Sequence, residues 1–332
     1  MKNIFIYIVL LWSGFVFSQN EQLANNYYEK GDFEKAKLIY EELLKGSPSN
    51  TQYFLRTVDC YQQLQMYDVA EKTIQDRYNK YKQGVFLVEL GYNFQLQKND
   101  SKAKSYYEQA IDKIKISPND VYGIGNSFEK KVLLEYAVKA YQTGMQVQPN
   151  YNFNFQIGML YGQLGKTDLM IDMLLTESYQ NPQNSNLIQT QLSRFMNGET
   201  DNTAFKDAMR KALILKTQKD QDVFWNHYLS WFYVQQKEFG KAFIQEKAIY
   251  KREPESLISI VNLSQFAINE DDTDTAEEIL NFILQNTKDL DLLVESNARL
   301  MQIKIDKAQE KDYPAITNEL QQLLTTYEIT PF

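Results

Sequence analysis

The sequence predicts an all-α chain folded as a solenoid of about nine stacked helical hairpins. Three observations carry that prediction. Apolar residues recur three and four apart along most of the chain, the spacing of one helical face. A small residue recurs at intervals near 34 residues, one per pair of predicted helices. Alternating strand patterns are absent throughout. A hairpin of this size cannot bury its apolar faces alone, so successive hairpins must stack.

Residues 21–50 show the unit. Leu23, Ala24 and Tyr27 are placed on one face of a first helix. Gly31 and Asp32 break it, the glycine by accepting positive φ and the aspartate by capping the second helix. Phe33, Ala36, Tyr40, Leu43 and Leu44 form the inner stripe of that second helix, which Pro48 stops. The small residue of the second helix is the marker. It recurs as Ala36, Ala70, Ala103, Ala137, Ala208, Ala242 and Ala276, with Met170 filling the gap. The steps are 34, 33, 34, 33, 38, 34 and 34 residues. Four residues after the marker stand Tyr40, Ile74, Tyr107, Tyr141, Leu174, Ala212 and Leu280. Nine before it stand Tyr27, Tyr61, Phe94, Phe128, Tyr161 and Tyr233, and twelve after it Pro48, Pro149, Pro182 and Pro254. Close helix approach at the marker explains the alanine, and the aromatic rows fill the wedge between hairpins.

Taken in order, residues 21–182 are the most regular. Residues 185–216 read as a degenerate hairpin whose long turn, Asn197 to Asn202, accounts for the 38-residue step. Residues 223–288 are regular again. A looser terminal hairpin spans 289–327, its second helix entered through Tyr313-Pro314, a natural first-turn proline.

The first helices of three hairpins carry Leu90-Gly91-x-x-Phe94, Ile124-Gly125-x-x-Phe128 and Ile157-Gly158-x-x-Tyr161. With the period and the rows above, these make the chain resemble the tetratricopeptide repeat family over roughly residues 21–288. The resemblance implies a right-handed α-solenoid whose first helices line a concave face. It also implies which positions face that groove. Eleven before the marker lie Asn25, Asp59, Tyr92, Asn126, Met159, Trp231 and Gln265. Four further back lie Glu21, Leu55, Val88, Tyr122, Phe155, His227 and Val261. The candidate binding residues are therefore Asn25, Tyr92, Tyr122, Asn126, Phe155, Met159, His227 and Trp231. Asn25 and Asn126 suit an extended backbone through two-point amide hydrogen bonds, and the aromatics and Met159 suit apolar side chains. Mere cover of the inner surface of a tight superhelix is the competing reading.

The amino terminus reads as a leader. Lys2 is followed by a mostly apolar run from Ile4 to Phe17, and Val16-Phe17-Ser18 puts small side chains before Gln19, so 1–18 is expected to be a cleaved signal peptide. The run is shorter than the ~20 residues of a spanning helix. No cysteine stands at the junction, so a lipoprotein anchor is not expected. The chain has 35 Lys and Arg against 43 Asp and Glu, for a net charge of −8, and lacks a basic stripe. That excludes nucleic acid and an anionic membrane surface as natural partners.

Catalytic and metal chemistry find little material. Cys60 is the sole cysteine and beside core Tyr61 reads as a buried, inert thiol; His227 is the sole histidine. Phosphate-cradling and nucleophile-elbow motifs are missing. The acidic run Asn269 to Asp274 lacks the glycine and terminal glutamate of a calcium loop, and is expected instead to cap the next helix with Asp274 and close the arrangement with Glu277. No cofactor and no enzyme activity are expected. The expectation is a scaffold that binds a protein or peptide, a cell-envelope component, in the periplasm or another extracytoplasmic space. The alternatives are a sensor or accessory ectodomain of a membrane signalling or transport system, an enzyme centred on His227, and a small-ligand or glycan binder.

Overall fold

The computed structural model describes residues 19–198, 202–254 and 256–327. The expected leader, 1–18, and part of the turn between Asn197 and Asn202 lie outside the described residues. The described residues form eighteen α-helices and no strand, so the expected all-α class holds. They divide into two compact units, one up to Lys166 and one from Thr167.

The first unit holds α1 (19–29), α2 (Phe33–Gly46), α3 (Thr51–Gln63), α4 (Tyr67–Tyr81), α5 (Val85–Leu96), α6 (Asp100–Ile116), α7 (Val121–Lys130), α8 (Leu134–Val147) and α9 (Asn154–Gln163). Each helix from α2 to α8 packs on the next, and α5 also meets α7 as α6 meets α8. That is the arrangement of stacked hairpins. The markers Ala36, Ala70, Ala103 and Ala137 are almost wholly buried, and so are Tyr40, Tyr107 and Tyr141 four residues on. The glycines of the Leu-Gly and Ile-Gly pairs explain why. A Cβ on Gly91 would strike the Tyr107 ring, and one on Gly125 would stand 2.5 Å from the Tyr141 ring. Each hydroxyl is used at the hairpin's polar edge: Tyr40 donates to Asn25 Oδ1 at 2.6 Å, Tyr107 to Gln95 Oε1 at 2.7 Å and Tyr141 to Glu129 Oε1 at 2.5 Å. Leu23 departs from expectation. It lies about 100° round the helix from buried Ala24, at the edge of the stripe, and is 45% exposed.

The second unit holds α10 (Thr167–Gln180), α11 (Ser185–Met196), α12 (Thr203–Lys219), α13 (Val223–Gln235), α14 (Phe239–Arg252), α15 (Ile258–Asn269), α16 (Thr273–Asn286), α17 (Leu290–Lys307) and α18 (Tyr313–Thr326). Two pairs of buried polar groups meet here: the hydroxyls of Ser178 and Tyr228 at 2.6 Å, and Ser230, which donates to Glu246 at 2.5 Å. The cap of α16 corrects an expectation. The helix starts two residues earlier than anticipated, at Thr273, so Asp272 rather than Asp274 is the N-cap and its Oδ1 accepts from Thr275 N at 3.2 Å. Asp274 sits in the first turn, where it and Glu277 pair with Lys307 at 2.9 and 3.0 Å.

One turn recurs in both units. Five residues before the marker, Gly31, Gln65, Lys98, Val132, Gly165, Lys237 and Asp271 all have left-handed φ between 56° and 77°. The next N–H then donates to the carbonyl nine residues before the marker, as in Asp32 to Tyr27 at 2.9 Å, Leu133 to Phe128 at 2.8 Å and Glu238 to Tyr233 at 2.9 Å. This is the six-to-one bond of a Schellman helix end. It fixes where each second helix starts and hence the register of the residues facing the site.

Candidate functional site

Within the first unit, α3, α5 and α7 are the first helices of three successive hairpins, and the stripe each presents follows from the repeat. Arg56, Asp59, Gln62 and Gln63 are set by α3, Glu89 and Tyr92 by α5, and Asn126, Ser127 and Lys130 by α7. Together they line a cavity of about 770 Å³. At the amino-terminal ends of two of these helices Asp120 Oδ2 accepts from Gly84 N at 2.9 Å, tying the entry of α7 to that of α5.

The wall carries a buried charge cluster. Lys131, the residue that closes α7, lies with its Nζ 2.5 Å from Asp59 Oδ1 and 3.2 Å from Glu89 Oε2. The same ammonium stands 4.6 Å from the centre of the Tyr92 ring. Ser127 donates to Glu89 Oε1 at 2.8 Å. Burial pushes the Glu89 carboxyl above its ordinary range, opposed by the charge of Lys131 and the Ser127 hydrogen bond. Burial alone would lower Lys131, but the two carboxylates outweigh it and hold the ammonium above its ordinary value. Two other cations are placed differently. The Arg56 guanidinium lies over the Tyr28 ring at 4.5 Å. Among the described residues neither Arg56 nor Lys130 forms an ion pair.

Of the residues expected at the site, Tyr92 and Asn126 are brought together here, with Asp59 of the same row. Asn25 has its carbonyl engaged by Tyr40 within the first hairpin. Tyr122 is 53% exposed and packs edge-on against Phe153 at 5.1 Å, beside the cavity rather than on its wall. Phe155 and Met159, on α9, are half-buried and do not line it. His227 and Trp231 belong to α13 of the second unit. His227 is exposed, and Trp231 packs edge-on against Tyr228 at 5.6 Å. Sequence reasoning missed Gln62, Glu89, Ser127 and Lys131. Glu89 was detectable as a lone charge in the apolar run Phe86-Leu87-Val88-Glu89-Leu90. Lys131 gives no such signal, because its importance depends on the carboxylates of two other hairpins.

Cys60 is wholly buried on α3, and burial, reinforced by Asp59, pushes its thiol up to about 12. Among the described residues no group of three His, Cys, Asp or Glu side chains is placed to hold a metal ion, and no helix is long and apolar enough to cross a membrane. The second unit has a smaller apolar groove of about 190 Å³ between α17 and α18, lined by Met301, Ile305, Leu320 and Leu323 among others.

The tetratricopeptide repeat family model matches residues 20–50. The match supports a tetratricopeptide repeat protein, and the later hairpins continue its period and turn geometry. No curated protein matches the chain. Among solved structures, it is similar to the C-terminal part of a TPR repeat-containing protein from Cytophaga hutchinsonii, at 16% identity over 72% of this chain and 97% of that one, with a TM-score of 0.30. It is similar to a thermophilic TPR protein of Thermus thermophilus at 13% identity, over 53% and 96% of the two chains, with a TM-score of 0.31. A likeness to YrrB, described as a TPR protein with an unusual peptide-binding site, covers 48% of this chain and 84% of that one at 16% identity, with a TM-score of 0.24.

Proposed function

We propose that the chain is an extracytoplasmic scaffold that binds a protein or peptide of the cell envelope in the cavity on α3, α5 and α7. The observation that carries the reading is the lining: three successive first helices offer carboxamides, the Tyr92 ring and the cations of Arg56 and Lys130 to one concavity. Such a wall suits a polar, extended chain that donates and accepts hydrogen bonds along its length. The leader-like segment supports export. Binding rather than catalysis fits the state of the one thiol, since Cys60 stays protonated at neutral pH.

The test is a pull-down from the native cell envelope with the full chain and with a Gln63→Ala, Asn126→Ala, Lys130→Ala triple variant. All three side chains are exposed on the cavity, so each change should alter stability by under about 0.5 kcal/mol. Loss of a wild-type partner from a variant that melts normally supports the reading. A partner retained by that variant moves the site elsewhere. Mass analysis of the exported protein tests the leader: a chain starting at Gln19 is expected, and one retaining Met1 contradicts it.

A further inference from the structure

Gln62 lies in the last turn of α3 on the cavity wall and is 3% exposed, yet neither its Nε2 nor its Oε1 has a hydrogen-bond partner among the described residues. Glu89 Oε2, on the same cavity and equally buried, has the Lys131 ion pair but no hydrogen bond. Six buried side-chain atoms in the described residues lack a hydrogen bond, and these two residues own three of them. Buried polar atoms are normally satisfied, and the neighbouring groups here are: Ser127 donates to Glu89 Oε1, and Asp120 accepts from Gly84. Half of the shortfall therefore lies on one wall.

We propose that Gln62 is the specificity residue of this site and reads an uncharged primary carboxamide, the side chain of an Asn or Gln in the bound peptide. The proposal rests on the peptide-binding reading above. The unmet atoms are two acceptors and one NH₂ donor. A primary carboxamide supplies two N–H donors and one carbonyl acceptor, which meets all three. A main-chain amide has one N–H and leaves one acceptor unmet. A carboxylate would face the charges of Glu89 and Asp59, and an ammonium would leave Nε2 unpaired while competing with Lys131. The Gln62 amide is closed off from solvent as it stands, but turning it into the cavity breaks no hydrogen bond, because it makes none.

The experiment is selection of random decapeptide libraries, one with free and one with amidated carboxy termini, by the full chain and by its Gln62→Met and Gln62→Leu variants. The wild type should enrich Asn or Gln at one position by about tenfold or more, in both libraries. The variants should unfold at or above the wild-type temperature without peptide, because a buried unpaired amide is gone, and should lose the enrichment. Equal amide enrichment by a folded variant overturns the proposal. Peptides enriched by the wild type without amide preference overturn it and leave the peptide reading standing. A preference confined to the amidated library places the amide at a chain terminus and overturns the side-chain assignment. No enrichment of any peptide overturns the proposal, and the envelope pull-down then decides separately whether a folded protein occupies the cavity.

Discussion

Gly125 works by leaving room: where its Cβ would stand, the Tyr141 ring is 2.5 Å away, and the Tyr141 hydroxyl reaches on to Glu129 at 2.5 Å. Gly125→Ala should therefore cost about 1–3 kcal/mol by overpacking, read as a lower denaturation midpoint of the full chain. An unchanged midpoint would show that the helices can separate freely there. Both partners of this contact were legible in the sequence, as a repeated Ile-Gly or Leu-Gly pair and as a tyrosine four residues after the marker. Lys131 was not legible, and it carries more charge energy. Its removal strands the buried Glu89 carboxylate beside half-buried Asp59, so Lys131→Met should cost about 3–5 kcal/mol near pH 8. The sign with pH follows from Glu89. Its carboxyl is raised in the folded chain, so the stability it adds is full below its ordinary carboxylate value and is lost as pH rises through the folded value. Lys131 stays charged across that window. The penalty of Lys131→Met should thus shrink toward pH 5, where Glu89 can take up a proton. Urea unfolding at both pH values measures it, and a penalty that grows on acidification contradicts this account.

At the scale of the element, the turn between the helices of a hairpin determines the register of everything facing the cavity. Seven such turns place the residue five before the marker in the left-handed region, but only Gly31 and Gly165 announce it. The other five are Gln65, Lys98, Val132, Lys237 and Asp271, which is why the turn type escaped the sequence. Propensity yields here to the Schellman bond and to packing on both sides. Val132 is the most strained of the set, since a β-branched side chain disfavours positive φ. It is also 75% exposed, so it contributes little packing in return. Val132→Gly should stabilise the chain by about 1 kcal/mol, seen as a higher melting temperature. A fall would mean that unfolded-chain entropy outweighs the strain. The start of α16 shows the same limit: Asp274 reads as the cap in the sequence, and the turn's phase chooses Asp272 instead.

For the whole molecule, the family resemblance put Tyr92 and Asn126 in one row, and periodicity was enough to identify an all-α chain of stacked hairpins. It was not enough to find the cavity. That depends on three helices, about 30 or more residues apart, bringing Gln62, Glu89 and Lys131 to one space, and on a charge cluster with no local pattern. Tyr122, Phe155 and Met159 belong to the same family rows but do not line that cavity, because a family position specifies a face and not the depth of the space in front of it. The central claim is that the wall made by α3, α5 and α7 holds the partner. The most direct measurement is site-specific photo-crosslinking in the native cell envelope. A photoreactive residue replacing Asn126, exposed on the cavity, is compared with one replacing Leu38, which is 63% exposed on α2 and does not line it. The account predicts a discrete crosslinked protein or peptide from position 126 that is absent from position 38 and is lost in the Gln63→Ala, Lys130→Ala background. A partner captured equally from both positions, or only from position 38, would contradict it.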